Sequence, residues 1–170
     1  YEMILGLVGS EICIRDRISD LIHEFSEEWI PFLESSRKIN NNKSFFVIDS
    51  QKSTYKLFNT DITNRIKSFI EDERYKVDSS LGQTNISAIP WIAILDQEIT
   101  STVQKEFYIV YLFSRNAKKV FLSIGIGAQQ FVDVFGENQK CTKKIFSAKK
   151  RLLGYCEFLK EGHLLSLIHI

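Results

Sequence analysis

Proline is nearly absent, with two residues in 170, and glycine is scarce at eight. Collagen-like and low-complexity chains are thereby excluded. Cysteine is sparse too: Cys13, Cys141 and Cys156 form no CxxC pair and no Cys/His cluster. A disulfide framework is therefore not expected, and the thiols point to a reduced, cytoplasmic compartment. No apolar run reaches the ~18 residues of a membrane span, so no membrane partner is expected. Charge of one sign is lacking as well. Lys and Arg number 22 against 21 Asp and Glu, a formal +1. A nucleic-acid partner must then be read from local patches rather than from a global basic field. What is present is core material: thirteen Phe, six Tyr and two Trp in a chain that is 44% apolar. That excludes disorder for most of its length, and the length fits one domain.

Catalytic signatures are missing in the same way. There is no GxxxxGK[ST], hence no phosphate-cradling loop. Gly125-Ile126-Gly127 is only a fragment of a GxGxxG and precedes no βαβ unit. No Asp or Glu stands two residues before a Lys, so the [DE]xK half of the common metal-dependent nuclease signature is absent. Asp96 and Glu98 offer either a cation site or a solvated pair at a strand end. His23 is the one histidine outside the two ends of the chain, and it lies among acidic neighbours in a helical pattern. Nucleophile, base and stabiliser do not assemble anywhere.

Residues 1–17 (YEMILGLVGSEICIRDR) and 163–170 (HLLSLIHI) resemble translated sequencing read-through and are expected to be non-native. The run from Met3 to Val8 has no basic stretch ahead of it and makes a poor signal peptide. Setting the ends aside removes two basic and three acidic residues and moves the formal charge from +1 to +2. Residues 18–162 then form the domain, expected to be truncated at its C-terminus.

Hydrophobic spacing predicts a helix from Ile18 to Glu34, kinked or ended by Pro31. Ser35 to Lys43 reads as a loop and Ser44–Asp49 as a short strand. Asn59-Thr60-Asp61 offers cap chemistry for a helix carrying Ile62, Ile66, Phe69 and Ile70. Weak alternation over Tyr75–Ser80 and apolar runs at Ala88–Leu95, Phe107–Phe113 and Lys119–Ile124 predict strands, the last two joined as a hairpin. FYIVYLF (107–113) has no polar alternation and reads as a central strand buried on both faces. Gly125 and Gly127 should break the strand before them. Ala128–Phe135 and Asn138–Lys160 read as helices. The order implies α+β: a largely antiparallel, twisted sheet packed with N- and C-terminal helices.

Two segments carry binding chemistry. Gly82-Gln83-Thr84-Asn85 is a small polar loop whose Gln and Asn pair a donor with an acceptor, suited to base edges and phosphates; it is equally a plain turn. Beyond it, Trp91, Tyr108 and Tyr111 supply either a stacking wall for a base or core. Lys140 to Arg151 (KCTKKIFSAKKR) holds six basic and no acidic residues. In a helix they cluster on a face opposite Ile145, Phe146 and Leu152, as a solvated surface or a phosphate-facing patch through Lys143, Lys144, Lys149 and Lys150.

Four blocks in order carry a family likeness: Gly82, Asn85, Ile89, Pro90 and Trp91; Ile99, Thr100 and Gln104; the strand Tyr108 to Phe113; and the following VFLS. Over about residues 72–130 the chain resembles the N-terminal DNA-recognition domain of McrB-type, modification-dependent (type IV) restriction proteins. The resemblance implies a non-catalytic module, without a cofactor of its own, that binds double-stranded DNA and flips a modified cytosine into an aromatic pocket. It implies GTP and Mg only for a separate motor domain, and a nuclease subunit as that motor's partner. Trp91, Tyr108 and Leu112 match pocket-lining positions. Gln83 stands where the best-known member has a Tyr that fills the gap left by the base; Gln can hydrogen-bond the orphaned guanine but stacks less well. With Thr84 and Asn85, these make the expected DNA-binding set.

Two other functions fit the same residues: the recognition half of a single-chain endonuclease, and a protein-interaction domain of a defence complex. In every case residues 18–162 are expected to hydrolyse no GTP and to cut no DNA. Phosphate release and plasmid-nicking assays on the purified domain check this, and metal-dependent cleavage that tracks with the domain would overturn it.

Overall fold

The computed structural model describes residues 2–40, 43–82 and 85–155. Its contacts gather into two compact units, between which the chain runs back and forth. Among the described residues, the first holds those within 2–71, 79–90 and 114–119, and the second those within 72–78, 91–113 and 120–155. The elements run α1 (Glu2–Ser36), β1 (Arg37–Asn40), β2 (Lys43–Phe46), α2 (Ser53–Lys56), a π-helical turn (Leu57–Ile62) and α3 (Thr63–Lys67). There follow β3 (Tyr75–Gly82), β4 (Ile86–Asp96), β5 (Phe107–Phe113), β6 (Val120–Ile126), α4 (Gln129–Phe135) and α5 (Gln139–Tyr155). A four-stranded sheet has the order β3-β4-β5-β6, with β4–β5 and β5–β6 antiparallel. The α+β class with an antiparallel sheet is as the sequence predicts.

In the first unit, α1 lays Phe25, Trp29 and Phe32 into the core with Leu57, Phe58 and Ile62. The Phe25 ring meets Phe58 at 4.6 Å and Trp29 at 5.3 Å, centroid to centroid. The indole N–H of Trp29 donates to the carbonyl of Arg115 at 2.9 Å, so the largest buried ring is also polar-satisfied. Pro31 does not end this helix, which runs five residues further to Ser36. Packing overrides the lost donor: Phe32 is buried and stacks on Trp29, and the turn closes with Ser35 donating to the Phe32 carbonyl. Nor is Ser35 to Lys43 a loop, because Arg37–Asn40 pairs antiparallel with β2 in a two-stranded hairpin.

Asn59-Thr60-Asp61 caps nothing. Helix begins at Ser53, and the tripeptide lies inside the π-helical turn. Its side-chain chemistry is used laterally instead. Asn59 donates to the Tyr55 carbonyl and accepts from Ser79, while the buried Thr63 hydroxyl lies 2.9 Å from both the Phe58 carbonyl and Ser79 Oγ. The widened turn brings the Phe58 carbonyl, five residues back, within reach of Thr63.

In the second unit, β5 is central, as predicted, but it is not buried on both faces. Tyr108, Val110 and Leu112 face inward, whereas Phe107 and Ile109 are 42% and 47% exposed. The strand is apolar throughout because its outer face is apolar too, a feature that strand length and composition cannot separate from double burial. The hairpin turn 114–119 belongs to the first unit and closes with Ser114 N–H donating to the Lys119 carbonyl.

Glycines 125 and 127 act differently from each other. Gly125 lies within β6 and does not break it. Gly127, one residue past the strand, lies against the backbone of Gln104 and Lys105: an added Cβ would fall 2.1 Å from the Lys105 nitrogen. Its own N–H donates to the Glu106 carbonyl, and the carbonyl of Gln104 accepts from Gln129 at the start of α4. Replacing Gly127 with Ala should force these two backbones apart. Overpacking of this kind costs about 1–3 kcal/mol, so the urea midpoint should fall with an unchanged m-value. An unaltered midpoint would show that the segment yields freely.

Candidate nucleic-acid interface

Strand register assembles the aromatic candidates. Trp91 of β4 pairs with Leu112 of β5, and Ala93 pairs with Val110. Val110 in turn pairs with Ser123 of β6, and Tyr108 pairs with Gly125. Alternation therefore puts Trp91, Ala93, Tyr108, Val110, Leu112, Ser123 and Gly125 on one face. Tyr108 and Leu112 are buried in one cluster with Ala93, Leu95 and Val110, and Trp91, Val103 and Phe121 are partly buried against it. Tyr108, Leu112 and Trp91 thus share one face, with Trp91 directly across from Leu112 and Tyr108 four residues further along β5.

Two features of this cluster are not ordinary core. The Tyr108 ring tip lies over the α-carbon of Gly125, where an added Cβ would come 2.4 Å from Cε2 and 2.5 Å from Cζ. Its hydroxyl and that of Ser123 are both buried, with no hydrogen-bond partner among the described residues. Burial pushes the Tyr108 phenol up to about 12. An unpaired buried hydroxyl costs free energy, so two on one sheet face mark a place where folding alone does not explain the residue choice.

Gly82, at φ 118°, needs to be glycine: a Cβ there would fall 2.0 Å from the Asn85 carbonyl oxygen. Asn85 is exposed and forms an isolated bridge with Val47 in the first unit. Gln83 and Thr84 lie outside the described residues. Asp96 and Glu98 are both held by Arg74, which engages Asp96 through two nitrogens and Glu98 at 3.0 Å. The Arg74 hydrogen bond lowers the Asp96 carboxyl below its ordinary range. Among the described residues no cluster of three or more His, Cys, Asp or Glu is placed to hold a metal ion.

Residues 36–159 match the family model of the MrcB-like, N-terminal domain. The chain belongs to that family. No curated protein matches the chain, and neither does any solved structure. Membership in the MrcB-like N-terminal family supports, at a coarse level, a DNA-recognition role, and a recognition rather than a catalytic one. Among the described residues of this MrcB-like domain, no helix is long and apolar enough to cross a membrane.

Helix α5 begins at a built cap, where Asn138 Oδ1 accepts from the N–H groups of Lys140 and Cys141 at 2.9 and 3.1 Å. Its inward side carries buried Cys141, with Ile145, Ala148 and Leu152 partly buried. Lys143, Lys144 and Lys150 are exposed and Lys149 is half-buried. Lys140 and Lys144 lie 5.4 and 5.8 Å from the centre of the Phe135 ring. Phe146 does not lie opposite the basic face; it is 64% exposed and lines a surface groove with Lys143. At 100° per residue, 146 stands well away from the 141/145/148/152 row, so the sequence pattern already excluded it from the apolar side.

Sequence reasoning missed Ser123 and the packing role of Gly125. The period-2 spacing of Ser123 and Gly125 within an apolar strand was the available signal. It also missed an apolar groove of about 830 Å³ lined by Phe107, Ile126, Phe131, Val134, Phe135 and Leu152 among others.

The raised phenol sets a pH dependence. The unfolded tyrosine ionises near 10 and the folded one near 12, so stability is full below pH 10 and is lost as pH rises towards 12. The loss should be about 2–3 kcal/mol, from two units at 1.36 kcal/mol each. Tyr108→Phe should abolish that component and leave the neutral-pH stability unchanged or raised, because the orphan hydroxyl is removed. Denaturant unfolding at pH 7, 10 and 11.5 checks both. A destabilised Tyr108→Phe would mean that the hydroxyl already has a partner.

Proposed function

We propose that this chain is the DNA-recognition domain of a modification-dependent restriction protein, and that its Trp91/Tyr108/Leu112 face receives a modified cytosine flipped from duplex DNA. The observation that carries the reading is the pair of unpartnered buried hydroxyls, Tyr108 and Ser123, beside aromatic side chains on one sheet face. A base brings what they lack: polar edges to hydrogen-bond, and a π-face to stack.

A duplex hides most of a base, so an enzyme-like pocket must take the base out at a cost of about a few kcal/mol. Stacking returns roughly 1–3 kcal/mol per aromatic contact. In the free domain the cluster is closed, with Tyr108 at 3% and Leu112 at 2% exposure. Reception therefore opens it, and half-buried Trp91 marks the entrance. The loop Gln83-Thr84-Asn85 contacts the DNA around the vacated position. Lys143, Lys144, Lys149 and Lys150 of α5 contribute phosphate contacts. The domain itself carries no GTP chemistry; motor and nuclease functions belong to other domains or to a nuclease partner.

The test is binding to a duplex with one 5-methylcytosine against the unmodified duplex, with 2-aminopurine beside the target. The free base should brighten on binding as stacking is lost. Tyr108→Ala should weaken the modified duplex at least fivefold and the unmodified one far less. No brightening, together with equal loss on both duplexes, would leave these aromatics as core.

A further inference from the structure

Phe146 occupies an unusual position for a large apolar side chain. It is 64% exposed, in the middle of a helix whose residues 139–155 include six basic and no acidic side chains. Lys143, Phe146 and Lys150 follow at i, i+3 and i+7 and so lie on one side of α5, about 10 Å from end to end along the axis. Gln139, Thr142 and Ser147 join Lys143 and Phe146 around a shallow groove of about 540 Å³. The helix does not need Phe146 for its own packing, since Cys141, Ile145, Ala148 and Leu152 fill the inward row.

Such a stripe has the chemistry of a single-strand platform: cations for the backbone and a ring for a base. Phosphate attraction alone accounts for the lysines but not for the ring, because a phenyl group does not donate to a phosphate. Its largest gain is on the face of an unstacked base, which a paired duplex presents only where a step is pried open. A membrane surface would need a continuous apolar face, and the apolar row of α5 is turned inward with one ring left outside. We propose that the Lys143–Phe146–Lys150 side of α5 is a binding surface for single-stranded nucleic acid, with Phe146 stacking on a base. The inference deepens the α5 part of the proposed function and does not depend on the base pocket.

Fluorescence anisotropy of a labelled oligothymidine with the full chain tests it, with a matched duplex alongside. Phe146→Ala should weaken the single strand about tenfold and the duplex by less than twofold. Because the ring is exposed, its circular-dichroism melt should not move. Lys143→Gln with Lys150→Gln should weaken both and lower the single-strand salt slope by roughly 0.7 per lost contact. The preference of Phe146→Ala for a methylated over an unmethylated duplex is read alongside: an unchanged preference with a weakened single strand places the loss on α5 and not in the base pocket. Unchanged single-strand affinity in Phe146→Ala would overturn the inference. So would Phe146-dependent binding to phosphatidylserine vesicles with none to the oligonucleotide.

Discussion

The tip of the Tyr108 ring rests on a bare α-carbon, and the second unit is arranged around that contact. It requires glycine at 125, because any Cβ would enter the ring. It fits the register of β5 against β6, which sets Tyr108 opposite Gly125. A one-residue slip would turn Tyr108 outward and bring Phe107 and Ile109, which now meet solvent, to the inside. With the register set, Leu112 falls opposite Phe121 and Trp91 opposite Leu112, so the remaining members of the cluster are placed by alternation alone.

The same contact carries an energetic oddity. Moving the phenol off solvent gains apolar burial for the ring, yet strands its hydroxyl on a sheet face that holds a second stranded hydroxyl, that of Ser123. A phenylalanine and an alanine would pack this face without that penalty. Groups of this kind persist where something outside the fold uses them, and the MrcB-like family assignment points to DNA.

Much of this was legible in the chain. The strand runs announce themselves by composition, the 114–119 turn by its polar residues, and α5 by its amphipathic spacing below the Asn138 cap. The convergence of Tyr108 and Leu112 follows from their spacing of four. Local signals misled where distant residues decide. Pro31 looked like an end because the buried stacking of Phe32 on Trp29 is invisible from the proline outward. Asn59-Thr60-Asp61 looked like a cap because the partner of its side chains, Ser79, comes from a later strand. Gly125 looked like a breaker because the ring that requires it lies 17 residues earlier on the neighbouring strand. FYIVYLF looked doubly buried because an apolar outer face and a covered one have the same letters. Gln83 and Thr84 lie outside the described residues, so their part in the loop rests on the sequence alone.

The two tryptophans divide evenly between the two units: Trp29 is sealed in the first core and Trp91 sits half-covered at the edge of the second cluster. The chain is thus its own two-channel optical reporter. The shielded indole of Trp29, bonded to a carbonyl, should emit towards the blue and resist quenching by iodide. The partly wetted indole of Trp91 should emit further to the red and be quenched more readily. One spectrum, resolved by quenching, follows the two cores separately without any label attached.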